Sequence, residues 1–141
     1  MFELAPELQR DCLWIGDFPL CRLLLLNDAN YPWFVLVPRR EAMTELCDLP
    51  VADQHQFMAE STFLCERLRE WFSPDKLNVA ALGNVVPQLH IHHVCRYRDD
   101  PAWPAPVWGK VQAVAYGDVE LKSMLVLMRG LEDFQGYLPG A

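Results

Sequence analysis

Two apolar segments separated by a short polar stretch constrain the fold of this chain more than any other feature. The first lies at about 21–26 and the second at about 33–37, and both are almost entirely apolar. The residues between them, 27–32, are of the types that turns prefer. Pro38 is expected to end the second strand, because a central strand cannot spare an amide hydrogen. The pattern predicts two antiparallel strands joined by a turn.

A long helix is predicted from Pro50 to Phe72, where Phe57, Leu64 and Leu68 recur at helical spacing. The other expected elements are a short helix or ordered arm at 2–12, a short helix at 40–47, strands at 76–81 and 88–96, and a helix at 118–134 with Asp118 as its N-cap. Antiparallel strands with helices packed on one side make an α+β domain.

The composition limits the cellular setting and the partners of the chain. Its 141 residues are expected to form one domain, 1–141. The net charge of −7 argues against a general nucleic-acid surface, which needs a basic face, but permits a small anionic ligand. The five cysteines include no C-x-x-C pair, so reduced thiols in a cytoplasm fit better than a disulfide framework. No apolar run approaches the ~20 residues that cross a bilayer, so no membrane partner is expected.

The stretch NVVPQLHIHHVCRY, residues 84–97, carries three histidines within four positions. Because alternate residues of a strand share a face, His90 and His92 are expected to point the same way, following Gln88. His93 is expected on the opposite face, partly buried with one ring nitrogen hydrogen-bonded. The histidines therefore form a pair and a separate third residue, not one cluster.

Three interpretations of the pair are open from the residues alone. The first is a polar sheet face in contact with water. The second is a metal site, which needs a third ligand, and the other histidine, His55, lies on the long helix. The third is nucleophilic catalysis on a phosphoryl group, in which a neutral imidazole attacks phosphorus and a second imidazole assists.

The segment QLHIHHV resembles the histidine-triad (HIT) motif His-φ-His-φ-His-φ-φ, where φ is apolar. Gln88 stands at the first histidine position, and His93 replaces a φ residue. The segment LLNDANYPWFVLVP is similar to the strand–turn–strand of the same family, with Trp33 where a histidine would be. The resemblance runs from about Arg22 to Arg96 and is nearest to the bacterial diadenosine-tetraphosphate-hydrolase-like branch. It implies an antiparallel sheet of about five strands with a long helix and a C-terminal helix.

The resemblance also implies catalytic roles. His90 would be the nucleophile and form a covalent nucleotidyl–histidine intermediate, which water then resolves. His92 would contact the phosphate oxygens and assist the leaving group. Gln88 would position this pair or touch the bridging oxygen, although it cannot ionise.

The same resemblance implies a nucleotide site. Asn78, Asn84 and the amides around Gly83 would hold the α-phosphate, and Asn27 and Asp28 would bind the ribose hydroxyls. The implied function is a hydrolase or nucleotidyl transferase that cleaves at the α-phosphate of a dinucleoside polyphosphate or related nucleotide, and the alternative is a nucleotide-binding signalling module with little turnover. No cofactor is expected beyond a divalent cation that accompanies a polyphosphate, no metal site is expected, and the partners are a nucleotide and a second copy of the chain in a homodimer.

Four side chains beyond the motif are interpreted by position. Trp103 and Trp108 lie in a proline-rich loop after the histidine strand and either cap the pocket or pack within the loop. Arg96 and Arg98 either neutralise a polyphosphate tail or are solvated arginines at the end of the strand, and the second is expected.

Overall fold

A six-stranded antiparallel sheet forms the centre of the computed structural model, which describes residues 1–140. In chain order the elements are α1 (Pro6–Asp11), β1 (Cys12–Asp17), β2 (Cys21–Leu26), β3 (Trp33–Pro38), α2 (Val51–Phe72), β4 (Lys76–Ala80), β5 (Ile91–Arg96), α3 (Asp118–Met128) and β6 (Leu138–Pro139). The strand order is β4-β5-β3-β2-β1-β6. The α+β class is confirmed, and β1 and β6 are strands that the sequence patterns do not predict.

The predicted hairpin is confirmed and lies in the middle of the sheet. Leu23 pairs with Leu36 and Leu25 with Phe34, so that these four side chains share one face. Pro38 is the last residue of β3, opposite Cys21. The proline therefore stands at the strand end, where its missing amide hydrogen interrupts no further ladder.

The long helix α2 covers one face of the sheet and forms the main core. Its residues Phe57, Leu64 and Leu68 are buried among the inward-facing leucines and phenylalanines of β2 and β3. The helix ends at Ser73, which adopts a left-handed conformation with φ of 45°. The predicted helix from Pro50 to Phe72 is confirmed, with Pro50 as its N-cap.

The prediction of a short helix at 40–47 is wrong. Ala42 has φ of 58°, outside the helical region. The Asp48 carboxylate instead accepts hydrogen bonds from the amides of Thr44 and Glu45. Together these leave only one 3₁₀ turn, Leu46–Asp48.

Three other predicted features differ from the structure. The C-terminal helix stops at Met128 and continues as a 3₁₀ turn at Arg129–Asp133, where a Cβ on Gly130 would come within 2.7 Å of the Trp71 ring. Gly117, not Asp118, is its N-cap. The strand expected from residue 88 begins only at Ile91, because the Leu89 amide donates to the Met43 carbonyl and leaves the sheet.

The opposite face of the sheet is covered by α1 and by the loop after β5. Arg96 anchors this loop and is almost fully buried, which corrects its interpretation as a solvated arginine. It donates to both oxygens of Asp100, at 2.8 and 3.1 Å, and to the carbonyl of Ala105. Burial raises the pKa of Asp100, but the hydrogen bonds from Arg96 and from backbone amides outweigh burial and lower it to about 2. The ion pair holds the loop against the sheet.

Glu60 of α2 provides a test of how the helix is attached to the sheet. Its buried carboxylate accepts the amides of Leu20 and Cys21, each at 2.8 Å. We expect Glu60→Gln to lower the free energy of unfolding by about 1–3 kcal/mol, because the new amide group faces a backbone donor. Urea denaturation measures the change, with exposed Glu66→Gln on the same helix as the control. Equal losses of unfolding free energy in the two variants would contradict the role of Glu60 in attaching α2 to the sheet.

Candidate active site around His90 and His92

His90 and His92 lie together at the N-terminal end of β5. Their ring centroids are 4.9 Å apart, and both side chains are largely buried. His92 sits in the strand, between Val35 of β3 and Ala80 of β4. Both histidines line a cavity of about 260 Å³ whose other walls are mostly apolar. The two histidine side chains lie on the same face of the sheet, as predicted.

The hydrogen bond of His90 fixes its neutral tautomer. Its Nδ1 lies 2.6 Å from the carbonyl oxygen of Gln88, which can only accept. Nδ1 therefore carries the proton, and Nε2 of the neutral ring keeps a free lone pair. An imidazole in this state can act as a nucleophile.

His92 has a hydrogen-bond partner at each ring nitrogen. The Trp33 indole Nε1 donates to its Nδ1 at 3.0 Å, and its Nε2 lies 3.3 Å from the carbonyl oxygen of Leu82. Burial, followed by the nearby His90, lowers the pKa of His92 to about 4. His92 is therefore uncharged at neutral pH.

His93 faces the α2 side and takes no part in this pair, as predicted. Its Nε2 lies 2.7 Å from the Ser61 hydroxyl and its Nδ1 lies 3.0 Å from the Ile91 carbonyl oxygen. Since the carbonyl only accepts, Nδ1 donates and Nε2 accepts from Ser61. His93 is fully buried with both nitrogens paired, where one paired nitrogen and partial burial were expected.

Gln88 stands beside the pair but directs its side chain elsewhere. Its Oε1 accepts from the Ala5 amide and its Nε2 donates to the Glu3 carbonyl, both at 2.8 Å. The amide group therefore holds the N-terminal residues. The helix α1 that follows them contributes Glu7 and Asp11 to the wall of the histidine cavity.

Two of the three residues expected to hold phosphate are close to His90. Gly83 and Asn84 line a cavity of about 170 Å³ next to His90. A Cβ on Gly83 would lie 2.8 Å from the Val86 carbonyl oxygen, so glycine permits this turn to pack closely. Asn78 lies apart on β4, where its Oδ1 accepts from Arg96.

Asn27 and Asp28, expected at the ribose, line a cavity of about 430 Å³ that shares Trp33 and Trp108 with the histidine cavity. The Asn27 Oδ1 accepts from the Tyr116 amide, and the Asp28 Oδ1 accepts from the amides of Asn30 and Val114. The turn residues therefore anchor the segment before α3. Among residues 1–140, Asp28 Oδ2 has no hydrogen-bond partner.

The sequence patterns predicted no role for Trp33. A signal was present, because Trp33 stands where the family motif has a histidine. Trp108 also lines the histidine cavity, with its ring 5.1 Å from His92 and perpendicular to Trp33 at 5.7 Å. The two tryptophans were expected either to cap the pocket or to pack within their loop. Trp108 lies at the pocket, whereas Trp103 packs over the Arg96 guanidinium. No signal in the sequence pointed to α1 as a wall of the site.

Residues 1–140 contain no group of three or more His, Cys, Asp or Glu side chains placed to hold a metal ion. Within the same part of the chain, no helix is both long and apolar enough to cross a bilayer.

Comparison with known proteins gives consistent relatives. A family model described as HIT domain matches residues 7–99. A crystal structure of a histidine triad protein from Marinobacter aquaeolei VT8 is 45% identical with a TM-score of 0.92, and the match covers 95% of this chain and 98% of that one. Histidine triad proteins from Bradyrhizobium japonicum and Sinorhizobium meliloti 1021 are 44% and 35% identical, with TM-scores of 0.90 and 0.89, each covering 92% of this chain and 96% of the other. No curated protein matches.

The buried His93 predicts an acid-sensitive fold. Burial lowers its pKa from 6.5 to about 4, so between these values the unfolded chain binds more protons and stability falls as the pH falls. Such a histidine removes about 2 kcal/mol between pH 8 and pH 5. We expect His93→Val to be less stable than the parent at pH 7, because Ser61 loses its partner, but to lose less stability on acidification.

Denaturation at several pH values measures this difference. The double variant Ser61→Ala, His93→Val is the control, since it leaves no unpaired hydroxyl. Because His93 lies on the other face of β5, any reaction that uses His90 should be unchanged at pH 7 in either variant. A loss of that reaction as large as the loss on removing His90 would contradict the placement of His93 away from the pair.

Proposed function

This chain belongs to the histidine-triad (HIT) family, whose members generally bind and cleave nucleotides, and we propose that it is a nucleotide hydrolase or nucleotidyl transferase that uses His90 as its nucleophile. The observation that carries the proposal is the 2.6 Å hydrogen bond between His90 Nδ1 and the Gln88 carbonyl, which leaves Nε2 free to attack.

The proposed reaction has two displacements at the α-phosphorus. In the first, the Nε2 lone pair forms an N–P bond while the bond from phosphorus to the leaving group breaks, and the leaving group takes its electron pair. In the second, water attacks phosphorus and releases a proton to the solvent, the electron pair of the N–P bond returns to Nε2, and a nucleoside monophosphate is released. A different acceptor in place of water would make the reaction a transfer.

The residues around His90 support this chemistry through hydrogen bonds. Asn84 and the amides near Gly83 are close enough to hold the α-phosphate as negative charge builds on its oxygens. Asn78 lines neither cavity that contains His90 and its Oδ1 is held by Arg96, so we assign the α-phosphate to Asn84 and the amides near Gly83. The free Oδ2 of Asp28 suits a ribose hydroxyl, and Asn27 keeps its Nδ2 for the same purpose.

The proposed substrate is a dinucleoside polyphosphate or a related nucleotide, as in the diadenosine-tetraphosphate-hydrolase-like branch. Three carboxylates, Glu7, Asp11 and Glu45, line the two cavities that contain His90, and no lysine or arginine does. A divalent cation accompanying the polyphosphate would offset these charges. We propose a cytoplasmic setting because all five cysteines are free thiols.

A second candidate function is a nucleotide-binding module with little turnover. Gln88 favours it, because this residue cannot ionise and its amide is occupied by the N-terminal backbone. His90 and His92 favour the enzyme, because a binding site has no need of a free imidazole lone pair.

We also propose that the protein is a homodimer. The strand β4 lies at the edge of the sheet and pairs only with β5. Next to it, a groove of about 490 Å³ runs between α2 and β4, with Met58 60% and Val79 49% exposed. A two-fold contact between copies would pair this edge and cover the apolar side chains.

Covalent catalysis is tested by the mass of the intact protein after rapid acid-free quench with diadenosine tetraphosphate and Mg²⁺. We expect an acid-labile nucleotidyl adduct on the parent and none on His90→Ala, while His90→Ala still binds the nucleotide. His55→Ala is the control, because His55 is an exposed histidine on α2. No adduct and no product, with binding retained, would support the binding module.

The dimer is tested by sedimentation equilibrium of Val79→Lys. A charge on the β4 edge is expected to raise the dimer dissociation constant at least about tenfold, since it must be desolvated on association. Val126→Lys on α3, where Val126 is 59% exposed, is the control. A parent that stays monomeric at all concentrations would exclude the proposal.

A further inference from the structure

We propose that Trp33 holds His92 as a neutral imidazole protonated only on Nε2, so that the site cleaves phosphoanhydrides and cannot protonate an amine leaving group. The assignment of Trp33 rests on hydrogen-bond geometry. The consequence for the substrate rests in addition on the proposed function, in which His90 attacks the α-phosphorus.

Both hydrogen bonds of His92 require the same tautomer. An indole N–H can only donate, so His92 Nδ1, 3.0 Å from Trp33 Nε1, must carry a lone pair. A backbone carbonyl can only accept, so Nε2, 3.3 Å from the Leu82 oxygen, must carry the proton. An imidazolium has N–H groups on both nitrogens, and one of them would then meet the indole N–H.

The register of the sheet places Trp33 for this contact. Trp33 pairs with Val94, and Val35 pairs with His92, so Trp33 and His92 are diagonal neighbours on one face. Trp108 packs edge-on against both rings and encloses the contact. Trp33 is therefore a positioning residue, which acts on the reaction through His92.

The carboxylates that share the cavity with His92 would favour an imidazolium, but neither is hydrogen-bonded to it. The neighbours that titrate are His90 at 4.9 Å between ring centroids, His93 on the other face of β5, and the carboxylates of Glu7 and Asp11 on α1. None of these forms a hydrogen bond to His92. Burial and the proximity of His90 lower the pKa of His92 to about 4, in agreement with the geometry.

Neither His92 nor Gln88 then supplies an acid for the leaving group at neutral pH. Gln88 has no ionisable proton, and the Asp11 pKa is lowered by its hydrogen bonds with Arg10. Neutral His92 can donate a hydrogen bond from Nε2 to a phosphoryl oxygen, but transfer of that proton would leave an imidazolate. The leaving group must therefore depart without being protonated by His92.

This condition separates two classes of nucleotide. When a phosphoanhydride is cleaved, the His90 N–P bond forms, the P–O bond breaks, and the electron pair stays on a phosphate oxygen, which is a stable anion. When a phosphoramidate is cleaved, the electron pair goes to nitrogen, and an amine anion is far too basic to leave unprotonated. The geometry thus favours phosphoanhydrides.

The tautomer is tested by ¹⁵N NMR of histidine-labelled protein between pH 5 and pH 8. In the parent we expect His92 to be neutral and protonated on Nε2 throughout. In Trp33→Phe we expect a fraction protonated on Nδ1 and an apparent pKa shifted upward. Trp108→Phe is the matched control, because Trp108 also packs on His92 without a hydrogen bond to it, and its tautomer should match the parent.

Two NMR results would overturn the role of Trp33. One is a parent in which His92 is protonated on Nδ1 or charged at pH 7, and this spectrum needs no variant. The other is a Trp33→Phe protein that folds and keeps the parental tautomer and pKa, which would assign the effect to Leu82 alone.

The substrate consequence is tested with one nucleoside in two forms, diadenosine tetraphosphate with Mg²⁺ and an adenosine 5′-phosphoramidate of an alkylamine. General acid catalysis contributes roughly 10²–10⁴-fold, so we expect kcat/KM of the parent to favour the phosphoanhydride at least about 100-fold. Trp33→His removes the indole donor and adds an ionisable ring. This variant should lower the ratio of kcat/KM for the phosphoanhydride to kcat/KM for the phosphoramidate by at least about tenfold.

The outcomes separate this inference from the proposed function. If the parent cleaves both substrates equally well, the proposed function stands, but the inference that the site has no acid for the leaving group is overturned. A parent that forms no adduct and cleaves neither substrate overturns the proposed function and the substrate consequence with it, while the NMR spectra still decide the role of Trp33.

Discussion

Antiparallel pairing between β3 and β5 places Phe34 opposite His93 and Val35 opposite His92 in the interior of the sheet. Because strand side chains alternate, this register sends His93 into the α2 core and His92 to the opposite face. A shift of one residue would exchange the two faces and send His92, not His93, into the α2 core. The position of every group at the site depends on this pairing.

The two faces of the sheet bury His93, Glu60 and His92 in the same way, by giving each of these side chains specific hydrogen-bond partners. On the α2 face, His93 is paired with Ser61, and Glu60 accepts two backbone amides. On the other face, His92 is paired with Trp33. An unpaired polar group in either place would cost about 1–3 kcal/mol, so these pairs fix the arrangement of the elements that carry them.

Loop attachment connects the fold to the chemistry. Arg96 ties the loop after β5 to Asp100 and Ala105, and this loop carries Trp108 to the ring of His92. Gln88 ties the N-terminal residues to the start of the histidine segment, and α1 then closes one side of the cavity. The Arg96 connection joins the end of β5 to the loop that directly follows it, whereas the Gln88 connection joins segments more than 80 residues apart, which no local pattern identifies.

The sequence by itself determined the hairpin, the long helix, the α+β class and the separation of His93 from the pair, because these follow from periodicities of two and 3.6 residues. The motif also identified His90, His92, Gly83 and Asn84, which the fold brings together because they are near in sequence. Only the tertiary structure decided the burial of Arg96, the attachment of Gln88 to the N-terminal residues, and the contact between Trp33 and His92. The last two depend on partners that are 59 to 85 residues apart in the sequence, and the burial of Arg96 depends on how the loop after β5 folds back over the sheet. Periodicity carries no information about which of these partners a side chain will meet.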